Sequence, residues 1–96
     1  PYMILTCYIS LQAIDDLVEN VVETLQQTGE LQRTYIVFTS DNGYHLGQHR
    51  LVQGKQTPYE EDIHVPLIIR GPGVPGRRSV QHLAVETDLA PTFADL

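Results

Sequence analysis

A short apolar run that ends in a polar, glycine-containing turn constrains this chain more than any other stretch. The run is Tyr-Ile-Val-Phe at residues 35–38, and Ser-Asp-Asn-Gly follows at residues 40–43. Such a continuous apolar run predicts a strand that is covered on both faces. In open α/β sheets, ligands bind beyond the carboxyl ends of strands, where Asp41 and Asn42 offer the oxygen atoms that hard metal ions prefer. The stretch therefore predicts one part of an active site.

Two other interpretations of this region are a hairpin turn and a zinc site. Asn-Gly is a common hairpin turn, but residues 44–49 contain Gly47 and two histidines and do not resemble a second strand. His45 and His49 are four residues apart, the spacing that places two zinc ligands on one face of a helix. Gly47 between them and the lack of a glutamate after His45 favour solvated or hydrogen-bonding histidines. Acid/base and anion-contact roles stay open for both.

Lys55 is the only lysine of the chain and lies between Gly54 and a predicted helix start. Single lysines are usually solvated. A compact ammonium group near the strand end would nevertheless suit a tetrahedral anion such as sulfate or phosphate. Arg50 is a weaker candidate of the same kind.

The remaining elements follow from periodicity and from glycine and proline positions. Apolar residues at three- and four-residue spacing predict an amphipathic helix over residues 9–27, extending back toward Tyr2 and ending before Gly29. Thr57 and Glu60 form a capping-box pattern for a short helix, which Val65-Pro66 ends. Further along, we predict a strand at residues 67–69, a weaker strand at 82–85 and a helix at 89–96 with Pro91 in its first turn. This order predicts an α/β fold.

Composition excludes several classes of protein. Twelve acidic and six basic residues give a formal net charge of −6, which argues against a nucleic-acid or anionic-membrane binder. The single cysteine, Cys7, excludes an internal disulfide and a multi-cysteine metal cluster. No apolar run approaches the length of a membrane span. The chain begins with Pro1 and stops within a predicted helix, so we expect a fragment of a longer protein.

These residues resemble the type I sulfatases of the alkaline-phosphatase-like superfamily. The resemblance rests on Ser-Asp-Asn-Gly, on the lysine after the loop, and on Val-Pro before a strand that ends in Arg-Gly-Pro-Gly. The matching runs are residues 35–49, 54–55, 59–73 and 87–92, and the helix before them also fits. The resemblance covers nearly the whole chain.

The resemblance implies specific roles for the candidate residues. Asp41 and Asn42 would be two calcium ligands, Lys55 would contact the sulfate ester, and His45 would line the substrate pocket and join the catalytic residues. Residues 44–48 are most similar to the subgroup that removes the 6-sulfate of N-acetylglucosamine in glycosaminoglycans. The implied substrate is a sulfated carbohydrate or an aryl sulfate. The implied location is secreted, periplasmic or lysosomal rather than cytoplasmic.

The chain also departs from the family pattern. Family members carry a formylglycine made from the first residue of Cys/Ser-x-Pro-x-Arg, and residues 7–11, Cys-Tyr-Ile-Ser-Leu, lack the proline and arginine. The early pair of metal-binding aspartates is missing as well, because Asp15 and Asp16 lie on the solvent face of the predicted helix. The chain alone should therefore not turn over sulfate esters.

We predict that residues 1–96 form a C-terminal portion of a sulfatase catalytic domain. The fold would be a partial three-layer alkaline-phosphatase-like α/β fold with a mainly parallel sheet, poorly folded in isolation because apolar faces and sheet edges are uncovered. Two alternatives remain: a phospho- or phosphonate-ester hydrolase of the same superfamily, and a non-catalytic metal-binding remnant.

Overall fold

The computed structural model describes residues 2–96, and its largest element is a long N-terminal helix. This helix, α1, spans Tyr2–Gln27. No glycine or proline interrupts it, and Gly29 follows its end with a φ of 76°, a left-handed conformation that glycine adopts without steric cost. The predicted helix, its extension toward Tyr2 and its terminator are confirmed.

Two short strands follow α1 and pair antiparallel. Strand β1 spans Ile36–Thr39 and strand β2 spans Leu67–Arg70, with Thr39 opposite Leu67 in the register. Both strands were predicted from their apolar runs. The mainly parallel sheet is not confirmed in residues 2–96. The intervening residues 40–66 leave and re-enter the sheet at the same end, so β2 runs back along β1, whereas parallel neighbours need a crossover to the opposite end.

The two remaining helices are short. Helix α2 spans Glu60–Ile63 and helix α3 spans Leu89–Asp95, with Pro91 in its first turn as predicted. The predicted capping box at Thr57 is wrong, because the residue before α2 is Tyr59 and the Thr57 hydroxyl donates to the Asp62 carboxylate instead. The predicted strand at 82–85 is also wrong. That segment is irregular, since no described strand lies beside it to complete a ladder.

The apolar interior of the described chain is incomplete. Four apolar residues of α1 and three of the sheet, together with Asp15 and Arg70, line one groove of about 410 Å³; the apolar residues are Leu11, Ile14, Val18, Val22, Ile36, Phe38 and Ile68. Among the side chains that the structure describes, those of residue 2 and residues 4–96, no apolar one is fully buried, and the two buried residues are His45 and Asp62, at 3% and 4% exposure. None of the described helices is both long enough and apolar enough to cross a membrane.

Candidate active site

A cleft of about 590 Å³ opens at the end of β1. The loop after β1 contributes Asp41, Asn42 and Lys55 to the lining of this cleft. The other lining residues are Gln56, Thr57, Asp62, Ile63, Val65 and residues 84–87. Within this cleft the Lys55 ammonium group donates a hydrogen bond of 3.0 Å to the Asn42 side-chain oxygen. The fold therefore brings together three of the four predicted site residues, although thirteen positions separate Asn42 from Lys55.

Asp41 and Asn42 offer the cleft a small set of hard oxygen donors. Asp41 is exposed, and its carboxylate has no ion pair among residues 2–96. The Asn42 amide nitrogen donates to the Gly43 carbonyl at 2.8 Å, which leaves the amide oxygen facing Lys55. Calcium takes roughly six to eight oxygen ligands, and the described residues contain no group of three or more His, Cys, Asp or Glu arranged to hold a metal. The oxygen atoms of Asp41 and Asn42 are of the type that calcium prefers, and two side chains alone do not complete such a site.

His45, the fourth predicted residue, lies in a buried pair with Asp62. Its Nδ1 lies 2.8 and 3.0 Å from the two carboxylate oxygens of Asp62, and its Nε2 lies 2.8 Å from the Val52 carbonyl oxygen. An ionised carboxylate and a carbonyl only accept hydrogen bonds, so both ring nitrogens carry protons and His45 is an imidazolium. The hydrogen bond with Asp62 raises the pKa of His45, against the opposing effect of burial.

Asp62 is a site residue that the sequence reasoning missed. Burial opposes its ionised form, but hydrogen bonds from Thr57 and His45 outweigh burial and lower the pKa of its carboxyl group. The Thr57 backbone N–H and hydroxyl donate to Asp62 Oδ2 at 2.8 and 2.7 Å. The sequence predicts a local role for Thr57, as a helix cap, and the histidine partner of Asp62 lies seventeen residues away in the chain. The one signal in the sequence is that Asp62, a carboxylate next to the apolar Ile63, has a threonine five positions before it.

His49 has separate contacts from His45. It and Arg50 have φ angles of 57° and 61°, a left-handed conformation that is uncommon for residues other than glycine. The His49 ring stacks on Tyr59 with centroids 3.8 Å apart, and its Nε2 lies 3.2 Å from a Glu61 carboxylate oxygen. Hydrogen bonds from its own backbone and from His49 lower the pKa of Glu61. The two histidines thus hold the loop to α2 at different places, and Arg50 does not line the cleft.

In this chain of helices and strands, the cleft at the end of β1 is lined by a carboxylate, an amide oxygen and a lysine, the side-chain types that metal ions and anions bind in proteins. The chain belongs to the sulfatase family: the family model described as Sulfatase matches residues 4–96. The resemblance stated from the motifs is confirmed, and with it the assignment to a family of hydrolases.

Several curated relatives are similar to this chain. The Extracellular sulfatase SULF-1 homolog of Drosophila melanogaster is 51% identical over 87 residues. The N-acetylglucosamine-6-sulfatase of Homo sapiens is 49% identical over 87 residues, and the Arylsulfatase of Volvox carteri is 44% identical over 91 residues. Each match covers 91% of this chain but only 8%, 16% and 14% of the respective relative. No solved structure matches the chain significantly.

Proposed function

We propose that residues 1–96 supply one side of the active site of a sulfuric ester hydrolase that acts on sulfated sugars or aryl sulfates. The observation that carries the proposal is that Asp41, Asn42 and Lys55 line one cleft, with the lysine ammonium 3.0 Å from the asparagine oxygen, in a chain of the sulfatase family. Relatives named N-acetylglucosamine-6-sulfatase and Arylsulfatase support the two substrate classes. Among sulfated sugars, the substrate that we propose is a sulfated glycosaminoglycan.

Lys55 is the proposed sulfate contact. Its ammonium group is a compact point charge with three donors, so it suits the oxygens of a tetrahedral anion. As negative charge develops on the ester during cleavage, a fixed ammonium group offsets that charge more strongly than mobile water can. Lys55 would therefore lower the barrier to cleavage as well as bind the substrate.

Asp41 and Asn42 are the proposed calcium ligands. Their oxygens match the preference of calcium, and the remaining ligands would come from other parts of the protein or from the substrate. When bound, calcium would polarise the sulfate oxygens as a Lewis acid. Because Asn42 lies within hydrogen-bond distance of Lys55, the proposed metal ligands and the proposed sulfate contact belong to one site.

The rest of the active site would lie elsewhere in a longer protein. In that arrangement, residues 1–96 are a C-terminal portion of the catalytic domain, the sheet continues with mainly parallel strands in a three-layer fold, and a formylglycine supplies the nucleophile. We further propose a secreted, periplasmic or lysosomal location. The catalytic role of His45 stays a prediction, and the occupation of both its ring nitrogens favours a positioning role.

The test uses the complete chain, defined as a polypeptide that contains residues 1–96 and the rest of a sulfatase catalytic domain. Hydrolysis of 4-nitrophenyl sulfate is measured with calcium and after chelation. We expect Lys55→Ala to lower kcat by about 10²–10³-fold, the usual loss when one charge-stabilising donor is removed. Asp41→Asn should raise the calcium concentration needed for activity. The matched controls are Arg78→Ala, which removes one positive charge, and Asp16→Asn, which removes one negative charge. Neither residue lines the cleft.

The outcomes separate the proposal from its alternatives. Sulfate ester turnover that needs calcium and Lys55 supports the proposal. A preference for 4-nitrophenyl phosphate or a phosphonate ester indicates the other hydrolase class. Calcium binding without turnover of any of these esters indicates a non-catalytic remnant. If Lys55→Ala leaves the activity unchanged, the proposed contact between Lys55 and sulfate is wrong.

A further inference from the structure

We propose that Asp62 is a positioning residue, which fixes the Lys55 ammonium group relative to Asp41 and Asn42. The inference rests on the proposed function of Lys55 and goes beyond it. Asp62 is a buried residue in the wall of the cleft and, through its backbone and its carboxylate, contacts both segments that carry the proposed site residues.

The segment that carries Lys55 is held at both of its ends. At one end, Gly54 exchanges two backbone hydrogen bonds with His45, of 2.8 and 3.1 Å. At the other end, Thr57 donates its N–H and its hydroxyl to Asp62. Because His45 is itself hydrogen-bonded to Asp62, the carboxylate joins the two ends, and between them only Lys55 and Gln56 are free of these contacts.

The backbone of this segment needs such support. Gln56 has a φ of 85°, a left-handed conformation that a residue with a Cβ adopts rarely and at a cost. Gln56 is placed between Lys55 and the Thr57 hydrogen bonds. If the hydrogen bonds from Thr57 to Asp62 were lost, Gln56 would relax toward ordinary φ angles, and the Lys55 side chain would leave the direction in which it meets Asn42.

The segment that carries the proposed metal ligands is held by the same residue. The Gly43 N–H donates a 2.8 Å hydrogen bond to the backbone carbonyl of Asp62, and Gly43 directly follows Asn42. Asp62 therefore contacts Thr57, two residues after Lys55, and Gly43, one residue after Asn42. Its side chain is 2% exposed, and the carboxylate is hydrogen-bonded to His45 and Thr57, so it is not available to act as a base toward substrate.

The test measures coupling between Thr57 and Lys55 in the complete chain. Thr57→Val removes one hydroxyl at nearly constant volume, and Thr57→Ser keeps the hydroxyl. We expect Thr57→Val to lower kcat for 4-nitrophenyl sulfate by about ten- to a hundred-fold, the upper figure being typical of a displacement of about 1 Å at a reacting group. Inorganic sulfate should also bind more weakly in a direct binding measurement. Thr57→Ser should restore most of both properties.

A double-mutant cycle distinguishes positioning from general destabilisation. In the Lys55→Ala background, Thr57→Val should cause little further loss, because the group that Thr57 positions is gone. Asp62→Asn should behave like Thr57→Val. If Asp62→Asn fails to fold, the comparison of Thr57→Val with Thr57→Ser still tests the inference. Thr34→Val is the matched control: its hydroxyl donates to the Glu30 carbonyl, away from the cleft, and its loss should leave kcat and sulfate binding unchanged.

Three results overturn the inference. The first is a multiplicative loss from Thr57→Val in both backgrounds, the second is a Thr57→Ser variant as impaired as Thr57→Val, and the third is a folded Thr57→Val variant that keeps kcat and sulfate binding. Failure of the proposed function gives a different pattern, since Lys55→Ala would then retain full activity. If Lys55→Ala loses activity while a folded Thr57→Val variant keeps kcat and sulfate binding, only the positioning inference is lost.

Discussion

His45 and Asp62 are the two buried residues of the described chain, and both are charged. Charged groups are rarely buried unless they are paired and hydrogen-bonded, and here each is. The imidazolium uses both of its donors and the carboxylate accepts from two residues, so the pair leaves no buried polar atom without a partner. Removal of either side chain would leave an uncompensated buried charge, which is why the pair is expected to be intolerant of single substitutions.

The pair predicts a specific pH dependence. The pKa of His45 is raised by its contact with Asp62, so its contribution to stability is complete below about pH 6.5, the ordinary histidine value. That contribution is lost as the pH rises through the raised value. The pKa of Asp62 is lowered, so its contribution is complete above about pH 3.9 and is lost as the pH falls through the lowered value. Both contributions are complete between these two limits.

The measurement is a titration of histidine-selectively ¹³C-labelled complete chain by NMR. The His45 midpoint should lie above about 6.5 and should fall in Asp62→Asn, because the main cause of the shift is removed. Glu60→Gln is the control, since Glu60 contacts the exposed His64 instead. A His45 midpoint that does not respond to Asp62→Asn would contradict the prediction.

At the scale of elements, periodicity in the sequence was a good guide to the helix and strand segments and a poor guide to their pairing. The amphipathic stripe of α1 and the apolar runs of β1 and β2 were sufficient to locate them, because burial on one or both faces leaves a local pattern. Strand direction leaves no such pattern. The hydrogen bond from Thr57 to Asp62 also leaves no pattern in the sequence, since a threonine before a short helix is equally typical of a helix cap. Asp41, Asn42 and Lys55 were predicted because glycines and a strand end mark their loop.

The packing of the loop against α2 makes Gly43 sensitive to substitution. A Cβ at Gly43 would overlap the Glu61 backbone carbonyl, which cannot move away as a side chain could. Gly43→Ala should therefore destabilise the complete chain by about 1–3 kcal/mol, as overpacking usually does, and should lower activity by displacing Asn42. Urea denaturation and the aryl sulfate assay measure the two effects.

Gly76 provides the matched control for this substitution. No heavy atom lies within 4 Å of the position that its Cβ would occupy. Gly76→Ala should be neutral or stabilising by up to about 1 kcal/mol, because alanine lowers the entropy of the unfolded chain. Equal effects of the two substitutions would refute the proposed close packing of the loop on α2.

At the scale of the whole molecule, the apolar surface has too few partners within residues 2–96. The helix α1 has 26 residues, and at about 1.5 Å per residue it is much longer than the four-residue strands beside it. Tyr2, Tyr8 and Leu17 are accordingly 86%, 65% and 60% exposed. Strand β2 is exposed along its whole length. So many exposed large apolar side chains are typical of a surface that another part of a protein covers, and the proposed remainder of a catalytic domain would cover this one.

This exposed apolar surface predicts how the isolated chain responds to heating. The isolated 96-residue chain should show no sharp cooperative melt and should bind a hydrophobic dye such as ANS, because the part of the chain that the structure describes buries no complete apolar core to offset its conformational entropy. The complete chain is the control and should melt cooperatively with little dye binding. Calorimetry and dye fluorescence on both proteins measure the difference. A sharp, reversible transition of the isolated chain would show that the groove between α1 and the sheet closes without further chain, and it would remove the argument that this surface is an interface.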